Sequence, residues 1–241
     1  LKAHIQRQLG GGTGAGQAVA HPPAVVAKFE RPEALEKAEA ILEQTDAVMV
    51  ARGDLGIEMD LQEIPQVQKS LIFKCNARGI PVITATQMLE SMMANARPTR
   101  AEVTDVANAI YDGTDAVMLS GETAVGQFPL EAVRTMAGIA AKTDAAIAAL
   151  ARNARQAHEP AAWPGSHSGA IGEAVHHMLH SMGITRIVCF TQSGYSARAI
   201  ARYRPRIPLT AITLSEKTLR QCALIWGVEA LRNVELTGFE E

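Results

Sequence analysis

Four short apolar runs punctuate the first half of the chain, and each ends in polar residues. They are Ala24-Val-Val-Ala-Lys-Phe-Glu30, Ala47-Val-Met-Val-Ala-Arg-Gly-Asp54, Pro81-Val-Ile-Thr-Ala-Thr86 and Ala116-Val-Met-Leu-Ser-Gly-Glu122. The stretch from Ala47 to Ala51 shows no polar alternation, which fits a strand covered on both faces, as in parallel α/β sheets. The polar ends at Glu30, Asp54, Thr86 and Glu122 recur at about the 31-residue pitch of a β/α unit in an eight-unit barrel. The pentapeptide Thr-Asp-Ala-Val-Met occurs at Thr45 and again at Thr114, a literal repeat that supports a β/α array.

Helical patterns fill the gaps. Pro32 opens one that runs to about Gln44, with Leu35, Ala38, Ile41 and Leu42 on its inner face. A second starts near Pro65, lined by Val67, Leu71, Ile72 and Cys75 and closed by Gly79. A polar excursion from Glu90 to Pro98 follows the third strand, and long loops at that end usually belong to a site. Thr99 and Glu102 form a capping box for a helix with Val103, Val106 and Ile110 inward. Pro129 opens a helix to about Leu150.

Residues 151–168 break the pattern with Pro160, Pro164 and Gly165, so a domain boundary is placed there: residues 1–150, then 151–241. The alternation then resumes. A helix is expected over about 171–181, a strand over 184–191, a helix to about Tyr203, a strand over 208–213, a helix over 216–226 and a short strand near 228–231. This reads as a smaller doubly wound α/β domain. At the other end, residues 1–9 read as a helix tail. Gly10-Gly-Gly-Thr-Gly-Ala-Gly16 reads as a loop rather than a dinucleotide fingerprint, because no strand precedes it.

Composition narrows the class. The chain has 241 residues, 47% hydrophobic, with net charge −2, and this near-neutral balance gives no support for nucleic acid or a membrane surface as partner. No apolar run approaches the ~20 residues of a membrane span. Cys75, Cys189 and Cys222 are odd in number and lack a CxxC spacing, which reads as reduced thiols in a cytoplasmic protein.

Candidate chemistry lies at the strand ends. Lys28 and Glu30 are two apart and share a face; the alternative to a ligand role is a local ion pair. Glu30 and Asp54 at neighbouring ends supply hard oxygens suited to Mg²⁺ or Mn²⁺. Gly53 lets backbone N–H groups approach a ligand. Thr86 and Ser120 are hydroxyls at the next two ends; the alternative is helix capping. His176 and His180 are four apart, but His177 stands where the general-base glutamate of HExxH belongs, so the helix-surface reading is preferred. Ser193, Gly194 and Ser196 precede a helix, where either a phosphate or capping fits.

Five motifs in order resemble the pyruvate kinase family: Lys28-Phe-Glu30, Met49-Val-Ala-Arg-Gly-Asp-Leu-Gly56, Ala85-Thr-Gln-Met-Leu-Glu90, Arg97-Pro-Thr-Arg-Ala-Glu102 and Met118-Leu-Ser-Gly-Glu-Thr123. The resemblance continues through Gln192-Ser-Gly-Tyr-Ser196 and Ala201-Arg-Tyr-Arg-Pro-Arg206. It implies the C-terminal half of a TIM (β/α)8 barrel followed by the α/β domain, and transfer of a phosphoryl group from phosphoenolpyruvate to ADP, giving pyruvate and ATP in glycolysis. It implies that Lys28 is the catalytic lysine and that Glu30 and Asp54 ligate Mg²⁺ or Mn²⁺. Ala51, Arg52 and Gly53 would hold the substrate carboxylate together with Thr86. Ser120 and Glu122 would lie near the route of the proton. It further implies a homotetramer and a K⁺ requirement whose ligands lie upstream of residue 1, with the lid and most nucleotide contacts. Thr191, Ser193, Gly194 and Ser196 match an effector-phosphate loop, but Gln192 and Tyr195 replace its usual basic residues. Two alternatives stay open: a metal-dependent aldolase or lyase acting on pyruvate enolates, and a non-catalytic fragment of the same family.

Overall fold

The computed structural model describes residues 23–153 and 167–232. The expectations for residues 1–16, and most of the proposed domain boundary, lie outside them. Two parallel sheets organise the described residues. The first has four strands, β1 (Val26–Phe29), β2 (Ala47–Ala51), β3 (Val82–Ala85) and β4 (Ala116–Met118), in the order β1-β2-β3-β4. The second has β5 (Ile187–Phe190), β6 (Leu209–Thr213) and β7 (Val228–Arg232), in the order β5-β6-β7.

The helices between β1 and β4 follow from the apolar spacing. The stretch after Pro32 is two short helices, α1 (Pro32–Glu36) and α2 (Ala38–Leu42), broken at Lys37, rather than the single helix expected. Next come α3 (Arg52–Glu58) and α4 (Ile64–Ala77), with Gly79 at φ 59 ending the latter. Phe29, Val48, Val50 and Val82 point from the sheet into a core shared with Ala38, Leu42, Leu71, Ile72 and Cys75. Strand alternation then places Lys28 on the other face, in register with Met49.

The Glu90–Pro98 segment is not a solvated loop. Glu90–Met93 forms a 3-10 turn, and Met88, Leu89 and Met92 are fully buried against Val106, Ala109, Ile110, Ala132 and Met136. These come from α5 (Arg100–Tyr111) and α7 (Pro129–Asn153), with the one-turn α6 (Gly121–Ala124) between them. The capping box at Thr99 and Glu102 is present. Val103, expected to face inward, is 36% exposed.

In the second unit, α8 (His167–Ser181) packs on α9 (Tyr195–Ala201), and α10 (Glu216–Cys222) precedes β7. A Cβ on Gly172 would lie 2.5 Å from the Ala199 carbonyl oxygen, so only glycine permits this helix crossing. Parallel neighbours in sequential order step through right-handed crossovers, which put the connecting helices on one face. Ile187, Leu209 and Ala211 meet α9 and α10 there. On the opposite face Val188, Phe190 and Leu231 are half or more exposed. All three cysteines are free. No helix among the described residues is long and apolar enough to cross a membrane.

Candidate active site

Lys28, Asp54 and Glu30 meet at the carboxyl ends of β1 and β2. The Lys28 ammonium donates to Asp54 Oδ2 at 2.9 Å and also pairs with the Glu30 carboxylate. Hydrogen bonds to Glu30 and then to Asp54 hold Lys28 above the ordinary lysine range, so it is a cation at neutral pH. All three side chains are nearly half exposed. The two carboxylates converge on one point, which is what two protein ligands of a hard divalent cation require. The local ion pair that the sequence offers as the alternative is present, since Lys28 occupies that point.

Thr86 is reached through backbone geometry. Its φ of 70 and that of Gln87, 53, place two successive non-glycine residues in the left-handed region, where each costs about 1–3 kcal/mol. The turn brings Thr86 Oγ1 to accept from Gly53 N at 2.7 Å while donating to the Ala85 carbonyl at 2.6 Å. A Cβ on Gly53 would stand 3.3 Å from that hydroxyl, which explains the glycine. The hydroxyl therefore caps the start of α3, not the helix that follows β3.

The side chain of Arg52 turns away from the strand mouth. Its guanidinium is buried and turned beneath the site, donating to Asp105 Oδ1 at 2.6 Å and to the Thr86 carbonyl at 2.8 Å. Any contact with a substrate falls to its backbone, and to Ala51 and Gly53. Sequence reasoning missed Asp105, although its place in Arg-Pro-Thr-Arg-Ala-Glu-Val-Thr-Asp105, one turn into a capped helix, puts a carboxylate near the strand ends.

Glu122 is 3% exposed, and its two oxygens accept from Leu89 N at 3.0 Å and Ser120 N at 2.8 Å. It ties the segment after β3 to the end of β4, so its carboxylate is closed off from the mouth. Ser120 stands at the start of α6 without capping it.

In the second unit, Thr191 Oγ1 accepts from Gly194 N at 2.9 Å, and Thr218 Oγ1 donates to the Gln192 carbonyl at 2.7 Å. Gly194 has φ 77. Thr191 thus shapes the loop from within, while Ser193 is exposed and Ser196 partly so. The helix-surface reading of His176 is overturned. It is 6% exposed and stacks on Tyr203, ring centroids 4.8 Å apart. It lies one turn beyond Gly172, and this i, i+4 pairing of a small residue and a ring is the sequence signal for the inward face. Among the described residues no cluster of three or more His, Cys, Asp or Glu side chains is placed to hold a metal.

A parallel β/α array with a lysine and two acids at adjacent carboxyl strand ends, followed by a separate parallel α/β unit, has the build of the β/α-barrel enzymes, whose sites lie at those ends. Residues 15–133 match the family model described as pyruvate kinase, barrel domain, and residues 169–241 the one described as pyruvate kinase, alpha/beta domain. The chain belongs to the pyruvate kinase family. It is 49% identical over 209 residues to a pyruvate kinase of Bacillus licheniformis, covering 86% of this chain and 35% of that protein. It is 53% identical over 203 residues to one of Staphylococcus epidermidis, covering 83% and 34%. A crystal structure of a pyruvate kinase from Cryptosporidium parvum superposes with TM-score 0.83 at 37% identity, covering 96% of this chain and 47% of that one. The chain thus spans about a third of the length of these curated relatives.

Proposed function

We propose that this chain carries the phosphoryl-transfer site of a pyruvate kinase acting on phosphoenolpyruvate and ADP. The observation that supports this most is the convergence of Lys28, Glu30 and Asp54 at adjacent strand ends. Phosphoryl transfer is catalysed mainly by positioning and by neutralising charge spread over the transferred oxygens. Lys28, held cationic by its two acids, supplies positive charge to the phosphoryl group in flight and to the enolate oxygen. Glu30 and Asp54 would hold Mg²⁺ or Mn²⁺; the donor set fits in kind, being two half-exposed carboxylates at adjacent strand ends. That ion, when bound, supplies further positive charge. Thr86 and the backbone of Ala51, Arg52 and Gly53 orient the substrate carboxylate, with Arg52 and Asp105 fixing Thr86 from below. Ser120 lies at the neighbouring strand end, on the side where a proton reaches the enolate carbon. We further assign K⁺ dependence and a homotetrameric assembly to the enzyme that carries this site, and an effector phosphate to the exposed side of the Thr191–Ser196 loop.

The test is a chimera in which this chain replaces the matching segment of the Bacillus licheniformis pyruvate kinase. The expected result is ATP formation from phosphoenolpyruvate and ADP with Mg²⁺. Lys28→Met should cut kcat by several orders of magnitude while phosphoenolpyruvate still binds, because the charge matters most in the transition state. A Lys28→Met chimera within about tenfold of the parent, a loss of only ~1.4 kcal/mol, would make Lys28 structural and refute the assignment.

A further inference from the structure

Gln68 stands on the inner face of α4, in line with Leu71, Ile72 and Cys75, and is buried like them. A leucine would suit that stripe, because a buried amide costs free energy unless its polar atoms find partners. Both ends of this amide are used. Oε1 accepts from Arg52 Nη1 at 3.4 Å, and Nε2 donates to Asp112 Oδ2 at 2.9 Å. A guanidinium only donates and a carboxylate only accepts, so these two neighbours fix which way the amide points. Asp112 follows the last residue of α5. Its carboxylate is largely closed to solvent, and Oδ1 pairs with the Lys69 ammonium.

This chain of bonds leads to the strained turn after β3. Arg52 Nη1 is shared between Gln68 and Asp105, while Nη2 donates to the Thr86 carbonyl at 2.8 Å and to Met88 Sδ at 2.7 Å. The buried Nε has no hydrogen-bond partner among the described residues, so the two Nη groups alone set how the guanidinium is turned. Asp105 and Asp112 are two helical turns apart, so they share one face of α5. The first holds Arg52 directly, and the second reaches it through Gln68. Residues in the left-handed region persist only where their surroundings over-determine them, and Thr86 and Gln87 are both there.

We propose that Gln68 and Asp112 are positioning residues for phosphoenolpyruvate, acting through Arg52 on the Thr86 turn without touching the substrate. The inference rests on the phosphoryl-transfer reading of the site. Asp112 orients the Gln68 amide, and the amide and Asp105 together orient Arg52. Arg52 then holds the Thr86 carbonyl, which keeps the Thr86 hydroxyl on Gly53 N. The support has a cation–carboxylate pair at each end, Arg52 with Asp105 and Lys69 with Asp112, and the uncharged amide between them.

The experiment has two arms. In the chimera, Gln68→Met keeps the length of the side chain but removes the donor to Asp112. It should raise KM for phosphoenolpyruvate about tenfold, as loss of one charged hydrogen bond does. The parental kcat and KM for ADP should remain, since only the binding of one substrate is weakened. Gln68→Glu sets two carboxylates face to face and should raise that KM at least as much. Adding Asp112→Asn to Gln68→Glu restores a donor opposite an acceptor and should bring KM back. In the 241-residue chain, hydrogen exchange at Gly53 N should quicken about tenfold in Gln68→Met while the amides of β2 and β3 keep their protection. The second arm needs no turnover. An inactive parent chimera therefore counts against the phosphoryl-transfer reading, and exchange at Gly53 still decides whether Gln68 holds the turn. Circular dichroism and a cooperative melt establish that each variant is folded, and should Gln68→Met fail to fold, Gln68→Glu with and without Asp112→Asn decides. Parental KM in folded Gln68→Met, KM for both substrates rising together, no recovery on adding Asp112→Asn, or unchanged exchange at Gly53 would each overturn the proposal.

Discussion

Arg204 of the second unit reaches across to Asp115 of the first, Nη1 to Oδ1 at 3.0 Å. The pair is the centre of a wider join. Arg204 Nη2 donates to Asn76 Oδ1 at 2.9 Å and to the Gly113 carbonyl, and its guanidinium stands 5.1 Å from the Trp226 ring. Asp115 also accepts from Trp226 N at 3.1 Å and, through Oδ2, from Val82 N at 2.9 Å. One carboxylate therefore pins the start of β3, the end of α10's following turn and the arginine. Arg204 adopts φ 50 to make the reach.

Removing one partner of a buried pair leaves an uncompensated charge and costs about 3–5 kcal/mol. Asp115 is the more buried side chain, 7% exposed against 23% for Arg204. Arg204→Met is therefore expected to destabilise by ~3 kcal/mol and to split denaturant unfolding into two steps. Tryptophan fluorescence and far-ultraviolet circular dichroism monitored together read this directly: two coincident, unshifted transitions would show that the join carries no such energy.

Thr86→Val keeps the β-branched shape but removes the acceptor for Gly53 N. The N–H then lacks its partner at the start of α3, a loss of ~1–3 kcal/mol. In the chimera, the same change should raise KM for phosphoenolpyruvate. Thr86→Ser should restore both properties, and a Thr86→Val protein with parental stability and KM would remove the hydroxyl from the account.

Asp54→Asn replaces a charged hard ligand by a neutral one. Mn²⁺ titration of the chimera should show affinity reduced about tenfold, or ~1.4 kcal/mol. Unchanged affinity means that Asp54 pairs with Lys28 and does nothing more.

Glu102 gives a pH signature. Burial pushes its carboxyl up, but hydrogen bonds from the Ser91 side chain, Ser91 N, Thr99 N and the Thr99 side chain together hold it below the ordinary glutamate range. A carboxyl depressed on folding stabilises above its unfolded pKa, and that stabilisation is lost as pH falls through the folded pKa. Glu102→Gln should thus be destabilising at pH 7, and the gap to the parent should close below about pH 4.5. A gap independent of pH between 7 and 3 would assign the effect to packing instead.

The sheet and most helices were legible because their signals are local. Ala47–Ala51 has no polar residue to place outward, Gly79 ends α4 with a positive φ, and Thr99 and Glu102 cap within one turn. What escaped depends on distant partners. The inward turn of Arg52 is decided by Asp105, far along the chain, and the burial of Glu122 by the backbone of Leu89. The split at Lys37 and the outward Val103 show the limit of periodicity in short helices, where tertiary packing outweighs the pattern. His176 reads as a surface residue until Tyr203 is brought against it.

The chain on its own should make no ATP. In the described sheet β1 and β4 pair on one side only, so Lys28 sits on an edge strand, the kind most prone to fray or to pair with another chain. Incubating the purified 241-residue protein with phosphoenolpyruvate, ADP, Mg²⁺ and K⁺ checks this; turnover of about 1–1,000 per second, the ordinary enzyme range, contradicts it.

The successive left-handed residues Thr86 and Gln87 set stability and function against each other along a line of descent. Gln87 is exposed and holds φ 53 at a cost that glycine does not incur. A screen for thermostable variants should therefore return Gln87→Gly, gaining about 1 kcal/mol. The same change widens the range of backbone angles open to Thr86, whose hydroxyl must stay on Gly53 N. Lineages selected for heat resistance alone would be drawn to glycine at 87, whereas those selected for turnover would keep a side chain there and carry the strain.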